Sequence, residues 1–284
     1  MEFHGPSTVD EAVSLLAADE DARCLAGGAT LVAMMNADLV MPSALVSLRH
    51  IAALGGIAAD AGGGLRIGAM TTHREVADAA GLDGAHALIS ETARAIGHPA
   101  IRNMGTIGGS IGHGDPQADY PAALVALDAS VELRGPDGAR AVPAQDFFVD
   151  YLETALQPGE LITAVTLPPS PAGGFGAYEK FARVEGDYAT VSVAAAVAME
   201  AGRCRYVRVA LGSCGPIPVR AEDAEARLAG TALADEDVAA AAAVLRDACD
   251  PVDDVRGSGE YRMMLVEPLL GRALRAAAAK GGAR

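Results

Sequence analysis

Tryptophan is absent from the 284 residues, and aromatic side chains make up only 4% of the chain. A substrate pocket walled by aromatic rings is therefore not expected. Lysine is nearly absent too: Lys180 and Lys280 are the only two, and no basic run occurs. With a formal net charge of −15, the chain lacks the clustered cations that phosphate backbones require, which excludes a nucleic-acid partner. The four cysteines, Cys24, Cys204, Cys214 and Cys249, are widely spaced and form no Cys-x-x-Cys pair. No metal or iron–sulfur site is expected, and free thiols suit a reducing compartment. Long apolar runs are missing, since the Ala-rich stretch 238–244 is too short for a bilayer and is flanked by acids. The start, Met1-Glu2-Phe3-His4-Gly5-Pro6, has neither a basic nor an apolar leader region, so no signal peptide and a cytoplasmic location are expected.

What is present is a chain long enough for two or three small cores, half of it hydrophobic. Ser7 and Thr8 stand three residues before Asp10 and Glu11, a capping-box pattern that predicts a helix over 9–18. A short strand over 23–26, a helix over 31–39 and a strand over 44–48 follow from the apolar periodicity. The Gly/Ala-rich stretch 55–64 marks a subdomain boundary. Beyond it come a strand at 65–69, a capping box at Thr72 and Glu75, and an amphipathic helix over 85–96. Residues 97–119 are glycine-rich without periodicity, and so predict a long binding loop. A helix opens at Pro121, and Gly135-Pro136-Asp137-Gly138 marks a hairpin. Pro168-Pro169-Ser170-Pro171 is the clearest linker. After it, strands at 178–182, 191–199 and 207–211 precede an Ala/Leu-rich helical remainder. The expected fold class is α+β, with two αβ subdomains (about 1–55 and 56–168) making up residues 1–168 and a sheet-plus-helices domain at 173–284.

Two glycine segments carry the chemistry: Ala26-Gly27-Gly28-Ala29-Thr30 and Gly105-Thr106-Ile107-Gly108-Gly109-Ser110. The first lies between a strand and a helix, where outward N–H groups suit an anion and paired glycines let a phosphate approach. Thr30 and Thr106 add hydroxyls. The two segments could hold one diphosphate from both sides. Neither is Gly-x-Gly-x-x-Gly nor the P-loop pattern, so both of those readings lack their fingerprint. Taken singly, each Gly-Gly also fits a plain tight turn.

With Leu25 and Leu31 flanking the first segment, Ile101-Arg102-Asn103-Met104 before the second, His113-Gly114-Asp115-Pro116 and Asp119 after it, and Tyr178-Glu179-Lys180-Phe181-Ala182-Arg183 and Gly186-Asp187-Tyr188-Ala189 further on, the chain resembles the FAD subunits of the xanthine dehydrogenase and carbon monoxide dehydrogenase group. The likeness runs from about Phe3 to the last helix, in order. It implies a two-subdomain, vanillyl-alcohol-oxidase-like FAD-binding region and a C-terminal domain of three strands plus helices. Leu25, Ala26, Gly27, Gly28, Ala29, Thr30 and Leu31 would hold the diphosphate from one side, and Thr106, Ile107, Gly108, Gly109 and Ser110 from the other. Asp119 would accept a hydroxyl of the nucleotide half. Ile96 and Leu161 would touch the cofactor as apolar contacts, Lys180 would lie near the flavin ring, and Tyr188 would stack on it. Each has a plainer alternative: core packing for Ile96 and Leu161, a helix start for Asp119, a surface lysine for Lys180, a strand start for Tyr188.

The resemblance further implies non-covalent FAD and no catalytic acid–base pair on this chain. A molybdopterin-binding large subunit and a small subunit with [2Fe–2S] clusters would be partners, as a dimer of heterotrimers. The cysteine-bearing insertion of the ring-reducing relatives is missing here. Two other readings stand beside this one: a stand-alone flavin oxidase of the vanillyl-alcohol-oxidase-like superfamily, and a non-enzymatic nucleotide- or peptide-binding module.

Overall fold

The three-dimensional structure, a computed structural model, describes residues 1–282; residues 283 and 284, the end of the expected C-terminal domain, lie outside the described residues. The chain begins with β1 (Glu2–His4), α1 (Val9–Ala18), β2 (Arg23–Leu25), α2 (Leu31–Asn36) and β3 (Ala44–Ser47). Thr8 caps α1, accepting the Glu11 N–H at 3.2 Å while the Glu11 carboxylate accepts the Thr8 N–H, the reciprocal arrangement its sequence predicts. The strands form a parallel sheet in the order β1-β3-β2. Ala12, Val13 and Leu16 of α1 pack on it around Val46, Leu48 and Leu54. α2 stops at Asn36, short of the expected residue 39, because Asp38 turns into the left-handed region at φ 57°.

The next segment builds an antiparallel sheet in the order β4-β5-β10-β6-β7. Its strands are β4 (Ile57–Ala59), β5 (Leu65–Gly68), β6 (Ser130–Gly135), β7 (Gly138–Pro143) and β10 (Leu161–Leu167). Between β7 and β10 lie α8 (Ala144–Phe147) and the small hairpin β8 (Phe148–Asp150) and β9 (Glu153–Thr154). Between β5 and β6 the chain makes α3 (His73–Asp78), α4 (Ala87–Ala95), α5 (Pro99–Met104), α6 (Ile107–His113) and α7 (Asp119–Ala126). The loop expected over 97–119 is therefore mostly two short helices. Glycine hides their periodicity, but Pro99 at the first turn of α5 and Thr106, whose hydroxyl accepts the Gly109 N–H at 3.1 Å, supply start signals that do not depend on it.

The C-terminal part is a three-stranded antiparallel sheet, β11 (Gly174–Phe181), β12 (Val191–Glu200) and β13 (Arg203–Gly212), followed by α9 (Glu222–Leu228), α10 (Asp235–Asp247) and α11 (Gly259–Gly282). β12 is buried on both faces, which explains its unbroken apolar run. Ala194 and Ala196 pack with α4 and α7 of the preceding region, while Val193 and Val197 face Leu245, Leu270 and Leu274 of α10 and α11. Alanine on the first face keeps the sheet close to the helices that carry the site.

Candidate functional site

The first glycine segment leaves β2 at Leu25 and enters α2 at Leu31. Gly28 sits at φ 77°, a conformation that costs a side-chain-bearing residue about 1 kcal/mol or more. Gly27 is small for a different reason. A Cβ there would run into the Met104 carbonyl and lie 3.0 Å from Gly105 Cα. The two glycine segments, some eighty residues apart, therefore touch. Ala26 completes the contact, its Cβ within 3.6 Å of the position a Cβ on Gly109 would take. The backbone N–H groups of Gly27, Gly28, Ala29, Thr30 and Leu31 find no acceptor among the described residues, and the Thr30 hydroxyl makes no cap bond. All of these residues are partly exposed. A cluster of unpaired donors on one rim is able to receive an anionic oxygen.

The second segment plays a supporting part. The Ile107 N–H donates to Thr71 O at 3.0 Å, that of Gly108 to Ala69 O at 2.9 Å, and that of Ser110 to Thr106 O at 3.0 Å. Thr106, Ile107 and Gly108 are buried; Gly109 is exposed and Ser110 partly so. A Cβ on Gly108 would lie 2.5 Å from Ala69 Cβ, so this glycine serves close packing of α6 on β5's end and not the open approach its sequence suggests. Only Gly109 and Ser110 face outward, opposite the first cradle. The His73 ring lies tilted against Tyr120, 5.4 Å between centroids, and the His73 backbone N–H donates to Gly105 O at 2.9 Å. Burial, with the Arg102 charge adding to it, brings the His73 imidazole down to about 4.

Asp119 opens α7 and is 6% exposed. It accepts from the Tyr178 hydroxyl at 2.6 Å and pairs with Lys180 Nζ at 2.9 Å. Lys180 also donates to Ala95 O at 2.7 Å. Burial pushes the Asp119 carboxyl up, while Lys180 and Tyr178 pull the other way. Lys180 is thus no free surface lysine, and the Asp119 oxygens are engaged within the chain. Ile96 is half-buried at the end of α4, and its carbonyl and that of Gly97 accept from Arg102 at 2.9 and 2.7 Å. Leu161 is 2% exposed in the N-terminal core, so its side chain is packing. Tyr188 is 39% exposed with Arg256 over its ring, 5.2 Å from the centroid. Its loop abuts the α4–α5 turn, because a Cβ on Gly186 would come within 2.9 Å of Gly97 O.

The structure therefore gathers the first segment with Gly109 and Ser110, and separately Asp119, Lys180 and Ile96 near Tyr188. The sequence reading gave no role to Arg102, Tyr178, His73, Gln117 or Arg256. Tyr178 was within reach of it: strand alternation puts residues 178 and 180 on one face of β11. Among the described residues no group of three or more His, Cys, Asp or Glu side chains could hold a metal, and no helix is long and apolar enough to cross a membrane.

The paired-glycine rim lies in a split αβ region that is followed by a sheet-and-helix domain. Residues 1–170 match the family described as the FAD binding domain in molybdopterin dehydrogenase, and residues 176–277 match the CO dehydrogenase flavoprotein C-terminal domain. The carbon monoxide dehydrogenase medium chain of Afipia carboxidovorans is 41% identical over 280 residues, which is 98% of this chain and 97% of that one. In the crystal structure of a Cu,Mo-CO dehydrogenase in its cyanide-inactivated form, a chain 41% identical superposes with a TM-score of 0.95, covering 98% of both chains. A chain of quinoline 2-oxidoreductase from Pseudomonas putida 86 superposes with a TM-score of 0.93 at 33% identity, over 99% of this chain and 98% of that one. The chain belongs to the FAD-binding medium subunits of the molybdenum hydroxylase family.

Proposed function

We propose that this chain binds one non-covalent FAD, its diphosphate held at its two glycine segments, and serves as the last internal electron carrier of a heteromeric, cytoplasmic molybdenum hydroxylase. The observation that supports it is the contact of Gly27 with Met104 and Gly105 beside five unpaired N–H groups. In this reading, residues 1–168 form the FAD-binding region, with subdomains meeting near residue 55, and residues 173–284 form the closing domain. Leu25–Leu31 supply donors to the diphosphate. Gly109 and Ser110 bound it from the other side, held in place by Thr106, Ile107 and Gly108. The Asp119–Lys180–Tyr178 cluster stiffens the wall near Ile96, and Tyr188 offers an aromatic face. Bound flavin supplies the ability to take electrons singly and release them in pairs. The protein's share is to bind, orient and shield it; no acid–base pair is called for.

Electrons reach the site from a partner subunit with [2Fe–2S] clusters, and substrate is oxidised on a molybdopterin-binding large subunit, the whole forming a dimer of heterotrimers. The test is native purification from the source cell with an affinity tag on this chain. The reading predicts two co-purifying subunits, FAD near one per copy, iron and molybdenum, and a mass near that of a hexamer. Recovery as a single chain devoid of FAD would contradict it.

A further inference from the structure

Tyr188 is the aromatic side chain expected to face the flavin, yet it is 39% exposed on a loop. An aromatic group in that position has three χ1 wells available and presents its face in the wanted place only part of the time. A ligand that needs one arrangement binds more weakly by the fraction of time that arrangement is absent. Something must therefore hold the ring, and the structure shows what does.

The Arg256 guanidinium lies over the ring, Nη1 donating to Gln117 Oε1 at 3.0 Å and Nη2 to Asp187 Oδ1 at 3.3 Å. Asp187 also accepts the Tyr188 N–H at 2.8 Å, so one carboxylate joins the loop's backbone to the arginine. Arg256 Nε is buried without a partner, and the group is kept there in spite of that cost by its other contacts. The turn carrying Arg256 is itself fixed. Asp254 accepts the N–H groups of Arg256 and Gly257 at 2.8 and 3.2 Å, a side-chain N–H of Gln117, and Arg262 Nη2 at 2.6 Å. Arg262, 1% exposed, reaches on to the Thr190 and Ser213 carbonyls. Gln117 belongs to the turn before α7, and the Pro116 carbonyl accepts the Ser213 N–H at 3.1 Å. The loop bearing Tyr188 is thus held at Gly186, Asp187, Tyr188 and Thr190, from both the FAD-binding region and the C-terminal domain.

We propose that Arg256 is a positioning residue for Tyr188, and that the turn from Asp254 to Gly257, anchored by Arg262 and Gln117, is a clamp that pre-sets the aromatic face of the FAD site. The inference rests on the FAD reading above. Arg256 acts by restricting Tyr188. Lysine cannot substitute, because it lacks the planar fork that spans Gln117 and Asp187 while lying on a ring.

The test is a double-mutant cycle on FAD affinity, measured by flavin fluorescence with the full chain stripped of cofactor. Arg256→Met should raise the Kd of FAD about three- to tenfold, the loss expected when one of roughly three ring positions is no longer selected and the loop loosens as well. Tyr188→Leu should weaken binding by at least as much. The double variant should bind no worse than Tyr188→Leu alone, since both changes remove the same contact. Arg256→Lys should bind as poorly as Arg256→Met. Losses that multiply in the double variant, or full recovery with lysine, would overturn positioning in favour of general stability or simple charge. If Arg256→Met does not fold, Gln117→Met cuts one arm of the fork and should show a smaller loss that again vanishes in the Tyr188→Leu background. Unchanged affinity in Arg256→Met beside a tight-binding wild type sinks this inference alone. A wild-type chain that takes up no FAD sinks the FAD reading and this inference with it.

Discussion

Replacing Gly27 with alanine adds one methyl group at the point where the two glycine segments meet. The new Cβ would lie 2.6 Å from the Met104 carbonyl carbon and 3.0 Å from Gly105 Cα, and closer still to the Met104 oxygen, where ordinary contact begins at 3.4 Å. The obstacle is backbone, so no rotamer change relieves it, and the α5–α6 corner must retreat by about 1 Å. That corner is held by hydrogen bonds from His73 N–H to Gly105 O at 2.9 Å, from Gly105 N–H to Ile101 O at 2.8 Å and from Ile107 N–H to Thr71 O at 3.0 Å. Each contributes about 1 kcal/mol, and overpacking a tight contact costs about 1–3 kcal/mol. Displacement of the second wall from the first should cost FAD binding a similar amount, a fall in affinity of roughly 10- to 100-fold. Gly28→Ala is the control: its Cβ would meet only the side chains of Val32 and Leu25, at 3.2 and 3.3 Å. Its cost comes from φ 77° and should be about 1–2 kcal/mol in stability. The assay is FAD titration of stripped protein by fluorescence, with thermal unfolding alongside. A Gly27→Ala protein with wild-type FAD affinity and melting temperature would refute the claim that the two segments form one site.

Gly108→Val should impair folding before flavin binding is reached, because Ala69 Cβ stands 2.5 Å from the added carbon; circular dichroism should show a melting temperature lower by about 4–10 °C, or the chain should be recovered insoluble. Lys180→Met leaves the buried Asp119 without its cation and should cost about 3–5 kcal/mol, read from the urea midpoint at neutral pH. His73 predicts a pH effect. Its imidazole falls from 6.5 to about 4 on folding, so between those values the unfolded chain binds the extra proton. Stability contributed at His73 is therefore intact above pH 6.5 and is lost as pH falls towards 4, by up to about 3 kcal/mol. Urea unfolding at pH 7 and pH 5 should show a smaller drop in His73→Gln than in the wild type. Heat or acid should release free FAD into the supernatant; flavin that stays with the precipitate would indicate a covalent bond.

The legible parts of this fold are those set by short-range chemistry. Thr8 with Glu11 and Thr72 with Glu75 announce helices through capping, and both boxes form. The apolar run located β12, though it could not show which elements cover its two faces. Residues 97–119 read as loop because glycine replaces the apolar positions a helix is recognised by. Their helices are held by tertiary contacts such as Gly108 on Ala69 and Gly105 on His73. The same limit governs the site. Leu25 to Leu31 could be recognised as a cradle locally, but Gly108 looks identical in sequence whether it faces a phosphate or a strand. Leu161, an apolar contact of the cofactor by the family resemblance, has its side chain in the N-terminal core. Arg256 and Gln117 carry no local signal at all, since their meaning arises only when distant turns meet around Tyr188.

The central claim is that this chain carries electrons and leaves substrate oxidation to other subunits. Its most direct test is anaerobic stopped-flow absorbance on the isolated chain loaded with FAD, mixed in turn with carbon monoxide, a purine, an aldehyde and an N-heterocycle, and then with a reduced [2Fe–2S] partner subunit. The account predicts no flavin bleaching with any of the four substrates and prompt bleaching with the iron–sulfur partner. Rapid reduction of the flavin by one of those substrates, with no other subunit present, would contradict it.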